Sequence, residues 1–213
     1  MFFELLFKQP ETFVSTVILV VVSVIIHELA HGLVAISQGD NTPKELGHIT
    51  LNPVTHLGWA GIVFLFLFGI SWGQMPVDRR NFKHASWSNI LVSAAGPLSN
   101  LVLSFIFIIG IVAFSYFKDF LPFNHGFAIK FMFVGAVMNL VLCFFNLLPV
   151  PPLDGFSIAS EAMPPLKSLA KNPYLPLIFL LVIFNVPGFW KNIYSYAQLI
   201  VEAGVVYFIS LFS

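Results

Sequence analysis

FVSTVILVVVSVIIHELAHGLVAI, residues 13–36, is an apolar run with a His-Glu-x-x-His motif near its C-terminal end. From Phe13 to Ile26 only Ser15, Thr16 and Ser23 are polar. About 20 apolar residues at ~1.5 Å per residue cross a hydrocarbon core of ~30 Å, so the stretch predicts a transmembrane helix. Positions i and i+4 share a helix face, so His27 and His31 can grip one metal ion while Glu28 stands beside it. Two histidines and a glutamate are costly in lipid, and by default they mark a functional site turned to the protein interior.

Composition extends the argument to the whole chain. Of 213 residues, 58% are hydrophobic and 9% charged, against about 25% charged in soluble domains. With 25 phenylalanines and a mean hydropathy of +0.89, the solvent is lipid. Formal net charge is zero, which gives no reason to expect a nucleic acid or an acidic partner. Cys143, the only cysteine, excludes an intramolecular disulfide and reads as a packed or lipid-facing thiol. Met1–Pro10 lacks the basic start and small-residue cleavage site of a signal peptide, so the first span is expected to act as an uncleaved signal anchor.

Further long apolar runs fall at 88–117, 127–149 and 193–212, with shorter ones at 60–72 and 174–186, the latter expected as a C-terminal span beside 193–212. The sequence predicts one membrane-embedded domain, residues 1–213: an all-α polytopic protein with a three-span core (13–36, 88–117 and 127–149). A small β-prone, re-entrant region at about 44–78 follows the first span, with Ile49-Thr50-Leu51 as its β-prone core and a turn signal at Asn52-Pro53. Parity decides that the run 60–72 does not cross. His27 and His31 lie near the end of the first span, and Asp154 follows the end of the span at 127–149. All three share one depth only if 88–117 carries the chain out and 127–149 brings it back. A half-inserted 60–72 is tolerated where protein or a water-filled cavity covers its backbone. Lys44, Arg79, Arg80, Lys83, Lys167 and Lys171 are then expected on the motif side, and Lys8, Lys118, Lys130 and Lys191 opposite. That balance leans toward a cytoplasmic motif side. Cysteines at Asn41, Asn81 and Ser168 are expected to label from one face, and at Asn124 from the other.

A catalytic zinc keeps three protein ligands and leaves one position to water. Two histidines are accounted for, and Asn146-Leu-Leu-Pro-Val-Pro-Pro-Leu-Asp154-Gly155 is the best source of the third ligand. Pro149, Pro151 and Pro152 hold this segment extended, and Gly155 lets it turn. Plainer readings stand beside these: buried histidines bonded to neighbours, and Asp154 as a helix cap. The first is disfavoured because each polar group in lipid must find a partner. Asp40, Glu45, Asp78, Asp119 and Glu161 lie in polar segments without such a scaffold. Glu202, inside the last run, is expected to reach the interface or a packed partner.

With these residues in view, the chain resembles the site-2 proteases, a family of intramembrane zinc metalloproteases. HELAH at 27–31 is similar to the family's HExxH, and NLLPVPPLDG at 146–155 to its Asn-x-x-Pro-x-Pro-x-Leu-Asp-Gly signature. AGPLSN at 95–100 resembles the Gly-Pro motif of the intervening core helix. Leu51-Asn52-Pro53 followed by His56 resembles the compact bacterial branch. The resemblance covers about residues 13–160. It implies one zinc per chain held by His27, His31 and Asp154, with Glu28 as general base. It also implies cleavage of a membrane-spanning protein or peptide substrate near the cytoplasmic face of the cell membrane. Asn146, Asn100 and His56 are candidates for contact with substrate. Their structural alternatives are a helix-end cap, a bridge between helices and an interfacial histidine. Gly96 and Pro97 are read mainly as sites of close helix approach, and His48, His84 and His125 as loop or interfacial histidines. The chain departs from its relatives at His56-Leu57-Gly58-Trp59, at Ser71–Val77 and at Phe156-Ser157, none of them a candidate ligand. The alternative function, a non-catalytic zinc carrier or inactive regulator, leaves Glu28 without a required role.

Overall fold

The computed structural model describes residues 2–69, 71–117, 125–163, 165–169, 172 and 174–212. Lys118, Asp119, Asn124 and Lys171, to which the sequence gave roles or sides, lie outside them. A helical turn at Phe2–Glu4 and the single-turn α1 (Leu5–Lys8) lead into α2 (Pro10–Ser37). Pro10 suits a helix start because its missing N–H falls among the donors a first turn leaves unpaired, and Glu11 meets the positive end of the dipole. There follow α3 (Thr42–Glu45), α4 (Pro53–Phe68), a short 3₁₀ turn at Arg79–Asn81, α5 (Ala85–Phe117) and α6 (His125–Asn146). The chain ends with α7 (Asp154–Ala162), α8 (Leu166–Leu169), α9 (Leu175–Asn185) and α10 (Phe189–Phe212).

Among the described residues four helices, α2, α5, α6 and α10, are long and apolar enough to cross a membrane. α5 is central and packs against α2, α6, α7 and α10. Its direction follows from its partners: His31 meets Val92, His27 meets Asn100, and Ser104 Oγ donates to the Ala136 carbonyl at 2.8 Å. α5 therefore runs antiparallel to both α2 and α6. Lys130 Nζ donates to Thr12 Oγ1 at 3.2 Å, joining the N-terminal ends of α2 and α6. His27, His31 and Asp154 fall at one end of the bundle. Apolar packing holds it: Ile108, Ala136, Val137, Leu140, Ala197 and Val201 form one buried cluster between α5, α6 and α10.

α4 has 16 residues, about 24 Å of helix, and Gly58 breaks it with φ 64° and ψ 165°. No helical stretch there approaches the ~30 Å needed to cross. Asn52 caps it, Oδ1 accepting from the Val54 N–H at 3.0 Å, and Pro53 opens it.

Two expectations change. No strand occurs among the described residues. Residues 44–45 and, apart from the break at Gly58, 53–68 of the β-prone region are helical, and 71–78 has no regular structure. The Thr50 carbonyl, which a strand would have used for pairing, accepts the His56 Nε2–H at 2.7 Å. Asn52-Pro53 then starts a helix instead.

The second change concerns the run 174–186. α9 has 11 residues, about 16 Å, too short to span. Without that crossing α10 starts at the motif end: Trp190 stacks on Phe145 near the end of α6, and Tyr116 Oη donates to the Ile209 carbonyl at the far end. Lys191 therefore lies on the motif side, not opposite it.

Candidate metal centre and active site

His27 and His31 are on α2 one turn apart, both buried, with their rings edge to face. Asp154 reaches them from the start of α7, which is folded back beneath the end of α6. Gly155 makes that turn possible, because a side chain there would overlap the Leu147 carbonyl. α7 is itself held by Asn89 of α5, whose Nδ2 donates to Glu161 Oε1 at 2.9 Å. Burial pushes the Glu161 carboxyl up, and Lys167, Ser86 and Asn89 more than offset this, leaving it below its ordinary value.

The Nε2 atoms of the two histidines are 3.0 Å apart, and Asp154 Oδ2 lies 3.2 Å from one and 3.4 Å from the other. Among the described residues this is the one group of three such side chains able to hold a metal ion. Ligands at ~2.0–2.1 Å around a tetrahedral zinc stand about 3.3 Å apart, so the donor set and its spacing fit that ion. The Val92 carbonyl, 2.6 Å from His31 Nδ1, can only accept. His31 Nδ1 therefore carries the hydrogen, and Nε2 turns a lone pair to the site. Gly96 of α5 lies against both rings: a Cβ there would overlap Nε2 of His27 and of His31.

Glu28 is buried beside the triad and lines the same cavity, about 420 Å³ in volume. Residues 71–78 pass over it so closely that a Cβ on Gly73 would overlap the Glu28 carboxylate. This segment is tied down at three points. Ser71 Oγ donates to the Gly61 carbonyl at 3.2 Å, and the Gln74 N–H to the His56 carbonyl at 2.9 Å. The Asp78 N–H donates to Asp40 Oδ2 at 2.8 Å.

Asp40, set aside in the sequence, is fully buried and also accepts from Thr42 and Asn81. Burial raises its carboxyl, and these donors together bring it below the ordinary range. At the half-buried neighbour Asp78, hydrogen bonds from Arg80 hold the carboxyl at about 2.

The other candidates are distributed unevenly. Asn146 lines the cavity at the end of α6 while its Nδ2 donates to the Leu142 carbonyl at 2.9 Å. Asn100 reaches the cavity too, but its Oδ1 faces His27 Nδ1 at 2.7 Å. His56 is buried beneath Thr50 and is not among the residues lining the cavity. Glu202 accepts from Gln198 on its own helix at 3.0 Å. Asn139 escaped the sequence reading; an asparagine inside the apolar run 127–149 was the available signal.

A bundle of membrane-length helices with three metal-capable donors gathered at one end, two of them buried and one half-buried, belongs to a polytopic membrane metalloprotein. The model of peptidase family M50 matches residues 15–123 and 121–184. Over 177 residues, 80% of this chain and 80% of the relative, the sequence is 41% identical to a protein of Bacillus subtilis (strain 168) provisionally named zinc metalloprotease YwhC. It is 31% identical over 185 residues, 82% of the chain and 69% of the relative, to a protein of Mycolicibacterium smegmatis provisionally named zinc metalloprotease Rip2. The Rip2 of Mycobacterium tuberculosis (strain ATCC 25618 / H37Rv) is 28% identical over 193 residues, 84% of the chain and 71% of that protein. No solved structure matches. The chain belongs to peptidase family M50, the site-2 protease family, and is a multi-pass intramembrane zinc metalloprotease.

Proposed function

We propose that His27, His31 and Asp154 hold the zinc and that Glu28 is the general base in hydrolysis of a peptide bond within or near a membrane-spanning segment of a protein substrate. The observation that carries this is the triad itself, three donor atoms 3.0–3.4 Å apart with a buried glutamate on the same cavity wall. Zinc supplies Lewis acidity, polarising the scissile carbonyl and lowering the pKa of the attacking water. Glu28 takes a proton from that water as its oxygen bonds to the carbonyl carbon, then gives the proton to the amine as the C–N bond breaks. Helical hydrogen bonds hide the peptide bonds of a membrane segment, so the substrate unwinds before it enters the cavity. Asn146 can both donate to and accept from the unwound backbone. A non-catalytic carrier is not favoured, since it has no use for Glu28.

In this reading residues 1–213 are one domain with a three-span core, α2, α5 and α6, to which α10 adds. α4 enters the membrane from the motif side and returns, with residues 44–78 forming a re-entrant region beside the cavity. The protein resides in the cell membrane with its active site near the cytoplasmic face. Among the described residues Lys44, Arg79, Arg80, Lys83, Lys167 and Lys191 gather at that end against Lys8 and Lys130 at the other, in keeping with positive-inside orientation. The test is cleavage of a reconstituted transmembrane peptide. Glu28→Gln should retain zinc and lose activity by ~10² or more, and a chelator should abolish the activity of the unaltered protein. Near-normal cleavage by Glu28→Gln would remove it from the mechanism.

A further inference from the structure

We infer that Asn100 is a positioning residue that fixes His27 in the tautomer able to bind metal, and that Asn139 sets the direction of its amide. This rests on His27 being a zinc ligand. The Gly135 carbonyl cannot change roles, since it only accepts. Asn139 Nδ2 is 2.9 Å from that carbonyl and 2.9 Å from Ser23 Oγ, so its NH₂ group points there. Asn139 Oδ1 is left facing Asn100. Asn100 meets it with Nδ2 at 2.9 Å, the same nitrogen lying 3.4 Å from the Ser23 carbonyl. The oxygen of Asn100 is thereby turned to His27 Nδ1 at 2.7 Å. An amide oxygen cannot donate, so Nδ1 carries the hydrogen and Nε2 turns its lone pair toward Asp154 and His31.

Both asparagines are 0% exposed, so no water can repair a reversed amide. Turning Asn100 over would set an NH₂ group against His27 and an oxygen against the oxygen of Asn139. Turning Asn139 over would face its oxygen to the Gly135 carbonyl. The relay therefore has one consistent direction, and that direction ends on the metal-facing lone pair. His31 reaches the same state through the Val92 carbonyl, so the two histidines are preset by different means. A partner that holds the second nitrogen of a histidine ligand fixes its tautomer and ring orientation, and its loss typically costs about 10–100-fold in metal affinity.

The test is zinc affinity of the full chain in nanodiscs, by competition with a chromophoric chelator. Asn100→Ala should weaken zinc by about 10–100-fold. With the opposing oxygen removed by Asn139→Ala, Asn100→Asp still accepts from His27 Nδ1–H and should bind zinc more tightly than Asn100→Ala in the same background, whereas an amide needed only to bridge helices gains nothing from a carboxylate. Wild-type affinity in Asn100→Ala, or Asn100→Asp no better than alanine in the Asn139→Ala background, overturns the positioning role. Retained zinc in His27→Ala overturns instead the ligand reading beneath it. A second measurement needs no relay variant to fold. Nitrogen-15 spectra of histidine-labelled, metal-free protein, assigned with His27→Gln, should show His27 protonated at Nδ1. A hydrogen on Nε2 with none on Nδ1 refutes the relay.

Discussion

Gly96→Ala tests how closely the central helix is fitted to the metal site. The added Cβ would overlap Nε2 of both histidines and lie 2.6 Å from His27 Cε1. Unstrained carbon contacts lie at ~3.5–4.0 Å, so a ring or the helix must yield by about 1 Å. Metal–ligand distances are held to about ±0.2 Å, so a shift of that size separates the donors beyond what one ion can bridge. Overpacking of this kind costs about 1–3 kcal/mol. At ~1.4 kcal/mol per tenfold that is about 5–150-fold in an equilibrium constant. Loss of zinc affinity within or beyond that range is expected, read by chelator competition on protein shown to be folded by its helical circular dichroism. Gly110→Ala on the same helix is the control, since its Cβ would meet only Met132 Sδ at 3.0 Å, on a flexible side chain. Folded Gly96→Ala with wild-type zinc affinity would show that the rings are not packed on α5 as described.

Further outcomes follow from the same geometry. Asp154→Ala should cut zinc occupancy strongly, and unchanged zinc would mean that the third ligand lies elsewhere. In a chain with Cys143→Ala, single cysteines at the exposed positions Asn41, Asn81 and Ser168 should all label from one face of the membrane and a cysteine at Lys8 from the other. Opposite labelling of positions 41 and 81 would make α4 a full crossing. Asp40→Ala should speed amide exchange across residues 71–78 and slow cleavage while zinc remains bound; wild-type exchange would release Asp40 from its role as anchor. The pH dependence has a definite sign. The Asp40 carboxyl lies below its ordinary value, so its contribution to stability is fully present above an unfolded pKa of ~3.9 and fades only as pH falls through the lower folded value. Exchange in 71–78, corrected for its intrinsic rate, should therefore be unchanged between about pH 7 and pH 5.

The sequence by itself determined what depends on local pattern and solvent. Hydropathy marked α2, α5, α6 and α10, since a chain in lipid must satisfy its backbone within each span. The i, i+4 spacing of His27 and His31 fixed their common face, and proline and glycine around Asp154 announced a rigid turn. Three things needed the tertiary structure. Segment 46–52 is not a strand because a side chain from a later helix, His56, takes the Thr50 carbonyl, a contact no β-propensity records. The side of Lys191 depended on whether α9 is long enough to cross, and a run of apolar letters does not say where a helix stops. Asn100, Asn139, Ser23 and Asp40 drew their roles from partners 38–116 residues away in the chain. Such residues are ordinary polar letters until packing excludes water and leaves each hydrogen bond a single direction.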